Sequence, residues 1–386
     1  MIPRHAALTL QRLSKGFPVL AITGPRQSGK TTLARAMFGG KPYVSLENPD
    51  EAEFARTDPR RVLGRFQEGA VLDEVQRCPT LLSWLQQIVD ERQRMGDFIL
   101  TGSAQFDLMA GITQSLAGRV GRVELLPLSG GELGSAYLPD ALDTLLLQGG
   151  YPTLYDRPLS PGDWFSNYVA TYLERDVRQL LAVHDLNQFH RFIRMCAARS
   201  GQLLNLAALG ADCGISAVTA GKWLSVLETS YLVMRLPPYH RNFGKRLVKT
   251  PKLYFLDVGL MAWLLGIRTP QSIETHAARG ALFETWVGSE LIKQRWNAGQ
   301  AADLYFWRDN VGHEVDVVHE TPEGNLQAIE IKSGSTFASD WPDAARKWVS
   351  FASGEALPPR IIYGGAGDYE RQGCGVTGWR EFAIAA

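Results

Sequence analysis

Between residues 24 and 32 the chain reads Gly24-Pro25-Arg26-Gln27-Ser28-Gly29-Lys30-Thr31-Thr32. Two glycines, a lysine and a hydroxyl residue at this spacing are what a phosphate-cradling loop requires. The glycines let backbone N–H groups turn inward around phosphate oxygens, at the positive end of whatever helix follows. Lys30 is then placed to neutralise the β- and γ-phosphates, and the Thr31 hydroxyl to hold Mg²⁺. Further on, Gly69-Ala70-Val71-Leu72-Asp73-Glu74 is an apolar run ending in two acids. There Asp73 would orient a magnesium shell and Glu74 would polarise an attacking water. A solvated turn is the plainer reading of the same pair. Phe98-Ile99-Leu100-Thr101-Gly102-Ser103 delivers small hydroxyls in the same way. Ser103 is the candidate sensor of a γ-phosphate and Thr101 the alternative, with capping of a following helix as a competing role. Arg119 and Arg122 follow in Gly118-Arg119-Val120-Gly121-Arg122. An arginine offered to a neighbouring subunit's γ-phosphate stabilises transition-state charge, and Arg119 is the candidate, with structural salt bridging the alternative.

These residues need elements to hold them. Val19–Thr23, Tyr43–Leu46, Ala70–Asp73, Phe98–Thr101 and Val120–Leu125 read as strands, and Lys30–Phe38, Leu81–Arg94 and Asp107–Ala117 as helices. That alternation predicts an α/β architecture with a parallel, helix-covered sheet. Pro127-Leu128-Ser129-Gly130-Gly131 and Gln148-Gly149-Gly150-Tyr151-Pro152 punctuate the chain after it. Helical periodicity fills Trp164–Leu181, Phe189–Ala198 and Ala217–Val233. Strand-like runs return at Leu304–Trp307, Glu314–His319, Gln327–Ile331 and Arg360–Tyr363. The expected division is 1–135, 136–270 and 271–386.

The chain has 386 residues, 45% of them hydrophobic and 21% charged, and its 40 basic and 40 acidic residues cancel. A neutral protein has no global field toward nucleic acid or an anionic membrane, so binding to either needs a local patch. The cysteines Cys78, Cys196, Cys213 and Cys374 show no CxxC or metal-ligand spacing, which fits reduced thiols. Neither a membrane-length apolar run nor the apolar core of a signal peptide is present, and the expected location is the cytoplasm.

Taken together, Gly24 to Thr31, Leu72-Asp73-Glu74-Val75-Gln76, Leu100-Thr101-Gly102-Ser103, Leu116-Ala117-Gly118-Arg119 and Pro127-Leu128-Ser129 resemble the prokaryotic AAA-type ATPases whose C-terminal half is a domain of unknown function. Gly149-Gly150-Tyr151-Pro152, Tyr172-Leu173-Glu174-Arg175-Asp176 and Tyr254-Phe255-Leu256-Asp257-Val258-Gly259-Leu260 look like that second part. The resemblance implies an AAA-type fold with ATP as ligand. A finger arginine acting in trans would need a homo-oligomer; Arg122 or Arg175 would serve a monomer.

Two helical runs, Leu203–Leu209 and Ala217–Leu224, flank Gly214-Ile215-Ser216 and precede a strand-like Tyr231–Leu236. That is the outline of a winged helix-turn-helix, with Thr219 and Lys222 able to face a DNA groove. Arg235, Arg241, Lys245, Arg246, Lys249 and Lys252 then form a basic patch over 235–252, interleaved with Tyr239 and Phe243. Protein packing and simple solvation are the competing roles of these two features. At the far end, Glu284 on a helix, Asp316 on one strand, and Glu330 and Lys332 on the next follow an order that resembles nucleases with a D…(D/E)xK core. Asp316 and Glu330 would there share a metal ion beside Lys332, and a nuclease-like fold kept only for binding is the rival.

Overall fold

The computed structural model describes residues 1–103, 115–173, 186–239, 248–321, 323–352, 354 and 356–385. The chain packs into two compact units. The first is built from Met1–Leu128 together with Thr229–Tyr231 and Lys293–Ala301, and the second from the rest of the chain.

In the first unit β1 (Val19–Thr23), β2 (Tyr43–Ser45), β3 (Ala70–Asp73), β4 (Phe98–Gly102) and β5 (Val120–Glu124) form an all-parallel sheet in the order β2-β3-β4-β1-β5. Successive side chains on a strand point to opposite faces. Val19 and Ala21 accordingly join Leu72, Leu85, Phe98 and Leu100 in one core layer. Leu20 and Ile22 join Leu10, Leu33, Val71, Ile99 and Val123 in the other. Burial on both faces is why β1, β3 and β4, buried along their whole length, begin as apolar runs. Helices Lys30–Met37 and Thr80–Arg92 cover the sheet. The parallel register sets Thr23 beside Gly102 and Ser45 beside Asp73, so the carboxyl ends of the strands share one edge, where open α/β sheets bind ligands. Most of the helix expected over Asp107–Ala117 lies outside the described residues.

The second unit begins with a helix over Gly130–Tyr137, fixed by a capping box between Ser129 and Glu132. Helices Pro161–Tyr168, Leu186–Ala198, Leu206–Cys213 and Ala217–Thr229 follow. A small antiparallel sheet contains β6 (Gln202–Leu203), β7 (Val233–Leu236) and β8 (Lys252–Phe255), with β8 in the middle. The C-terminal part is a mixed sheet of β9 (Leu304–Arg308), β10 (Glu314–Glu320), β11 (Leu326–Lys332), β12 (Arg360–Tyr363), β13 (Asp368–Arg371) and β14 (Cys374–Gly378), ordered β13-β14-β12-β11-β10-β9. The Asp343–Phe351 helix packs on β10 and β11. Among the described residues no helix is long and apolar enough to cross a membrane.

Candidate active site

The Gly24–Thr31 loop leaves β1 with Gly24 at φ 149°, where an added Cβ would stand 2.2 Å from the Leu125 carbonyl oxygen. Gln27 (φ 65°) and Gly29 (φ 92°) are left-handed, and the helix starts at Lys30. The Lys30 ammonium is buried and donates to the carbonyls of Gly24 (3.1 Å) and Pro25 (2.7 Å). Behind the loop the buried Arg4 guanidinium donates to the Ser28 carbonyl at 2.7 Å and the Leu126 carbonyl at 2.6 Å. Nothing in the sequence around Arg4 announces that brace. Pro25 and Ser28 are buried, while Gln27 and Thr32 face solvent.

At the ends of β3 and β4, hydroxyls converge on one carboxylate. The Thr31 hydroxyl donates to Asp73 Oδ1 at 2.9 Å, the Thr101 hydroxyl donates to the same oxygen, and Tyr43 donates to Oδ2 at 2.7 Å. Burial and then the Asp73 hydrogen bond push Tyr43 ionisation up to about 12. Glu74 follows at φ 57°. The Gln76 amide donates to Glu74 Oε2 and, at 3.1 Å, to the Ser103 hydroxyl. The two hydroxyl candidates therefore divide, Thr101 going to Asp73 and Ser103 to the Glu74 side. Tyr43 and Gln76 were not among the expected residues. Arg119 is bidentate to Asp90 at 2.5 and 2.8 Å, and Arg122 pairs with Glu124 at 2.8 Å. Arg119 holds the exposed Asp90 carboxyl below its ordinary range. Arg175 lies outside the described residues.

In the second unit Glu284, Asp316, Glu330 and Lys332 come together, as neighbours in a wider network. Lys332 reaches Glu330 at 2.7 Å and Asp316 at 3.7 Å, and the Ile331 N–H donates to Asp316 at 2.8 Å. Glu330 and Lys332, two apart on β11, share a face. Lys252 opens β8 fully buried and pairs with Glu284 at 3.1 Å and Glu314 at 2.5 Å; Tyr254 also donates to Glu284. Burial and then Asp316 push Glu330 up to about 8, and the same two causes raise Glu284. Among the described residues no three acidic, histidine or cysteine side chains are grouped as metal ligands.

Comparison with known proteins sorts these parts. Residues 16–134 match the AAA domain, residues 139–271 a domain of unknown function, DUF8612, and residues 279–382 another, DUF4143. Uncharacterized proteins of Mycobacterium bovis and Mycobacterium tuberculosis are each 34% identical over 336 residues, which is 86% of this chain and 74% of theirs. The chain belongs to the AAA-type ATPases with a C-terminal DUF4143 domain. Among solved structures, the Walker-type ATPase of Pyrococcus abyssi aligns at 16% identity and a TM-score of 0.46, over 68% of this chain and 96% of that one. The RuvB Holliday junction branch migration motor of Thermotoga maritima aligns at 18% identity and a TM-score of 0.31, over 60% and 87%.

The ATPase's loop fits the nucleotide that its family implies. Ser28 Oγ is buried there with no hydrogen-bond partner, Gly24 has no room for a side chain, and Lys30 rests on the loop's own carbonyls. Hard oxygen donors, the Thr31 hydroxyl and the Asp73 carboxylate, suit Mg²⁺, which takes one or two protein ligands and completes its shell with phosphate and water. The basic patch needs correcting. Lys252 is consumed inside the second unit, and Arg235 pairs with Glu228 at 2.8 Å. Lys249 is exposed, and Arg241, Phe243, Lys245 and Arg246 lie outside the described residues. A charged residue leading an apolar strand looks solvated in sequence when its acidic partners come from distant elements.

Proposed function

We propose that the ATPase binds ATP with Mg²⁺ on the Gly24–Thr32 loop and hydrolyses it. The 2.9 Å contact between Thr31 and Asp73, residues on separate elements, carries this reading. Lys30 and the loop N–H groups would hold the phosphates, and Thr31 and Asp73 would hold Mg²⁺. The ion would neutralise charge developing on the phosphoryl oxygens. Glu74 accepts a proton from the attacking water, Ser103 faces the γ-phosphate, and Arg119 comes from a neighbouring copy in a homo-oligomer. Fluorescent-nucleotide titration tests this: Lys30→Ala abolishes binding, whereas Glu74→Gln binds ATP without turning it over. Wild-type affinity in Lys30→Ala would refute the site.

The nucleotide cycle would move the appended regions on DNA. Supporting this, Gly214 (φ 70°) turns the Leu206–Cys213 helix into the Ala217–Thr229 helix. The Ser216 hydroxyl accepts from the Thr219 N–H at 3.0 Å, and Val218 and Lys222 are exposed near the start of the second helix. This helix pair with β7 and β8 is read as a winged helix whose second helix enters a groove. Duplex affinity measured across a salt series should weaken in Lys222→Ala with a shallower slope. An unchanged slope assigns the helix to protein packing.

For the C-terminal domain the charge network favours a binding or scaffold role on a nuclease-like fold over cleavage. Lys252 and Lys332 already pair with the acids that a metal would have to gather. Plasmid incubated with protein and Mn²⁺ should remain supercoiled, with or without ATP. Nicking that disappears in Asp316→Asn would reverse this reading.

A further inference from the structure

Glu74 stands in a left-handed backbone conformation, φ 57° and ψ 44°. That conformation strains a residue with a Cβ, so the surroundings must hold it there. The conformation ends β3 and starts a single 3₁₀ turn over Val75–Arg77. Two residues after Glu74, Gln76 is carried by this turn and its amide nitrogen reaches back to Glu74 Oε2 and across to Ser103 Oγ at 3.1 Å. Ser103 is buried, and the Gln76 carbonyl oxygen is buried with no hydrogen-bond partner.

The orientation of this amide follows from its neighbours. An amide has donors on nitrogen and lone pairs on oxygen. Turned the other way, its oxygen would face the Glu74 carboxylate, lone pair against negative charge. The nitrogen must therefore face Glu74, which leaves the amide oxygen without a partner. An unsatisfied buried acceptor is destabilising, and that penalty is retained here beside the carboxylate read as the general base. A base oriented by a third group is the arrangement that makes proton abstraction efficient.

We propose that Gln76 is a positioning residue for hydrolysis, which holds Glu74 by Oε2, leaves Oε1 to accept the proton of the attacking water, and links that carboxylate to Ser103. This rests on Glu74 being the base. Binding a γ-phosphate at Ser103 then alters the partner of the same amide that orients Glu74, so one side chain connects sensing with proton abstraction.

The test is a double-mutant cycle on the full chain, read by single-turnover ATP hydrolysis and by fluorescent-nucleotide affinity. Gln76→Met keeps the volume and removes the donor. It should lower the rate by about tenfold or more, with nucleotide Kd changed by less than about twofold. In the Glu74→Gln background, where single-turnover reactions are followed long enough to read the residual rate that multiple-turnover assays miss, the same substitution should have no further effect, because a positioning residue acts only through what it positions. A rate within twofold of wild type in Gln76→Met overturns the proposal. So does an equal loss in both backgrounds, or a matching loss of nucleotide affinity, since either means Gln76 merely supports the fold. If Glu74→Gln alone hydrolyses at the wild-type rate, the base assignment has failed, and Gln76 falls with it.

Discussion

Tyr43 and Glu330 show what single residues contribute at the two sites. The Tyr43 phenol supplies one of three hydroxyl donors around Asp73, from a strand whose sequence gives no hint of that contact. Tyr43→Phe should cost about 1 kcal/mol of stability in denaturant titration. No loss would mean that water replaces the phenol. Glu330 is held up at about 8 by burial and Asp316, against an ordinary 4.5. A raised acid binds its proton more tightly folded than unfolded, so its stabilising contribution is complete below about pH 4.5 and fades as pH climbs through 8. Calorimetry should find the melting temperature of Glu330→Gln falling less than that of wild type between pH 5 and pH 8. Parallel curves would show that the carboxyl is not perturbed. At this scale the candidate loop, Asp73 and Glu74 stand out in the sequence because phosphate chemistry demands fixed residue types at fixed spacing. Arg4, Tyr43 and Gln76 do not, because strand register and a one-turn helix bring them in.

Elements were legible where burial is two-sided. β1, β3 and β4 are buried throughout and lie within a residue of the strands expected from the sequence. β13 is exposed along its whole length and offers no apolar pattern to read. β8 begins with Lys252, whose Glu284 and Glu314 partners are far away in sequence. The entry to β3 depends on Gly69, φ 73°, where a Cβ would come within 1.7 Å of the Asp97 carbonyl oxygen. Gly69→Ala should destabilise the first unit by about 3 kcal/mol, combining backbone strain with displacement of the chain before β4. An unchanged unfolding midpoint would mean that the neighbouring segment moves aside freely.

For the whole molecule, the proposed trans role of Arg119 would make hydrolysis a property of an assembly, and specific activity should then rise with protein concentration. Arg119 is held by Asp90 on its own chain, so engagement with a neighbour means exchanging that partner. Mixing Arg119→Ala with Glu74→Gln should restore turnover at mixed interfaces, and a concentration-independent rate would rule the trans role out. The first unit is also not a continuous piece of chain. Its Thr23 hydroxyl, one residue before the phosphate loop, meets the Tyr231 hydroxyl at 3.0 Å, and Tyr231 packs edge-on against Trp296. A ribosome delivers the chain from its first residue, so the sheet and loop emerge long before these two aromatic residues. The nascent ATPase unit stays unfinished until about residue 301 is released, after most of the second unit has been made. Translation order thereby postpones the finished unit until the intervening residues 129–292 have been made.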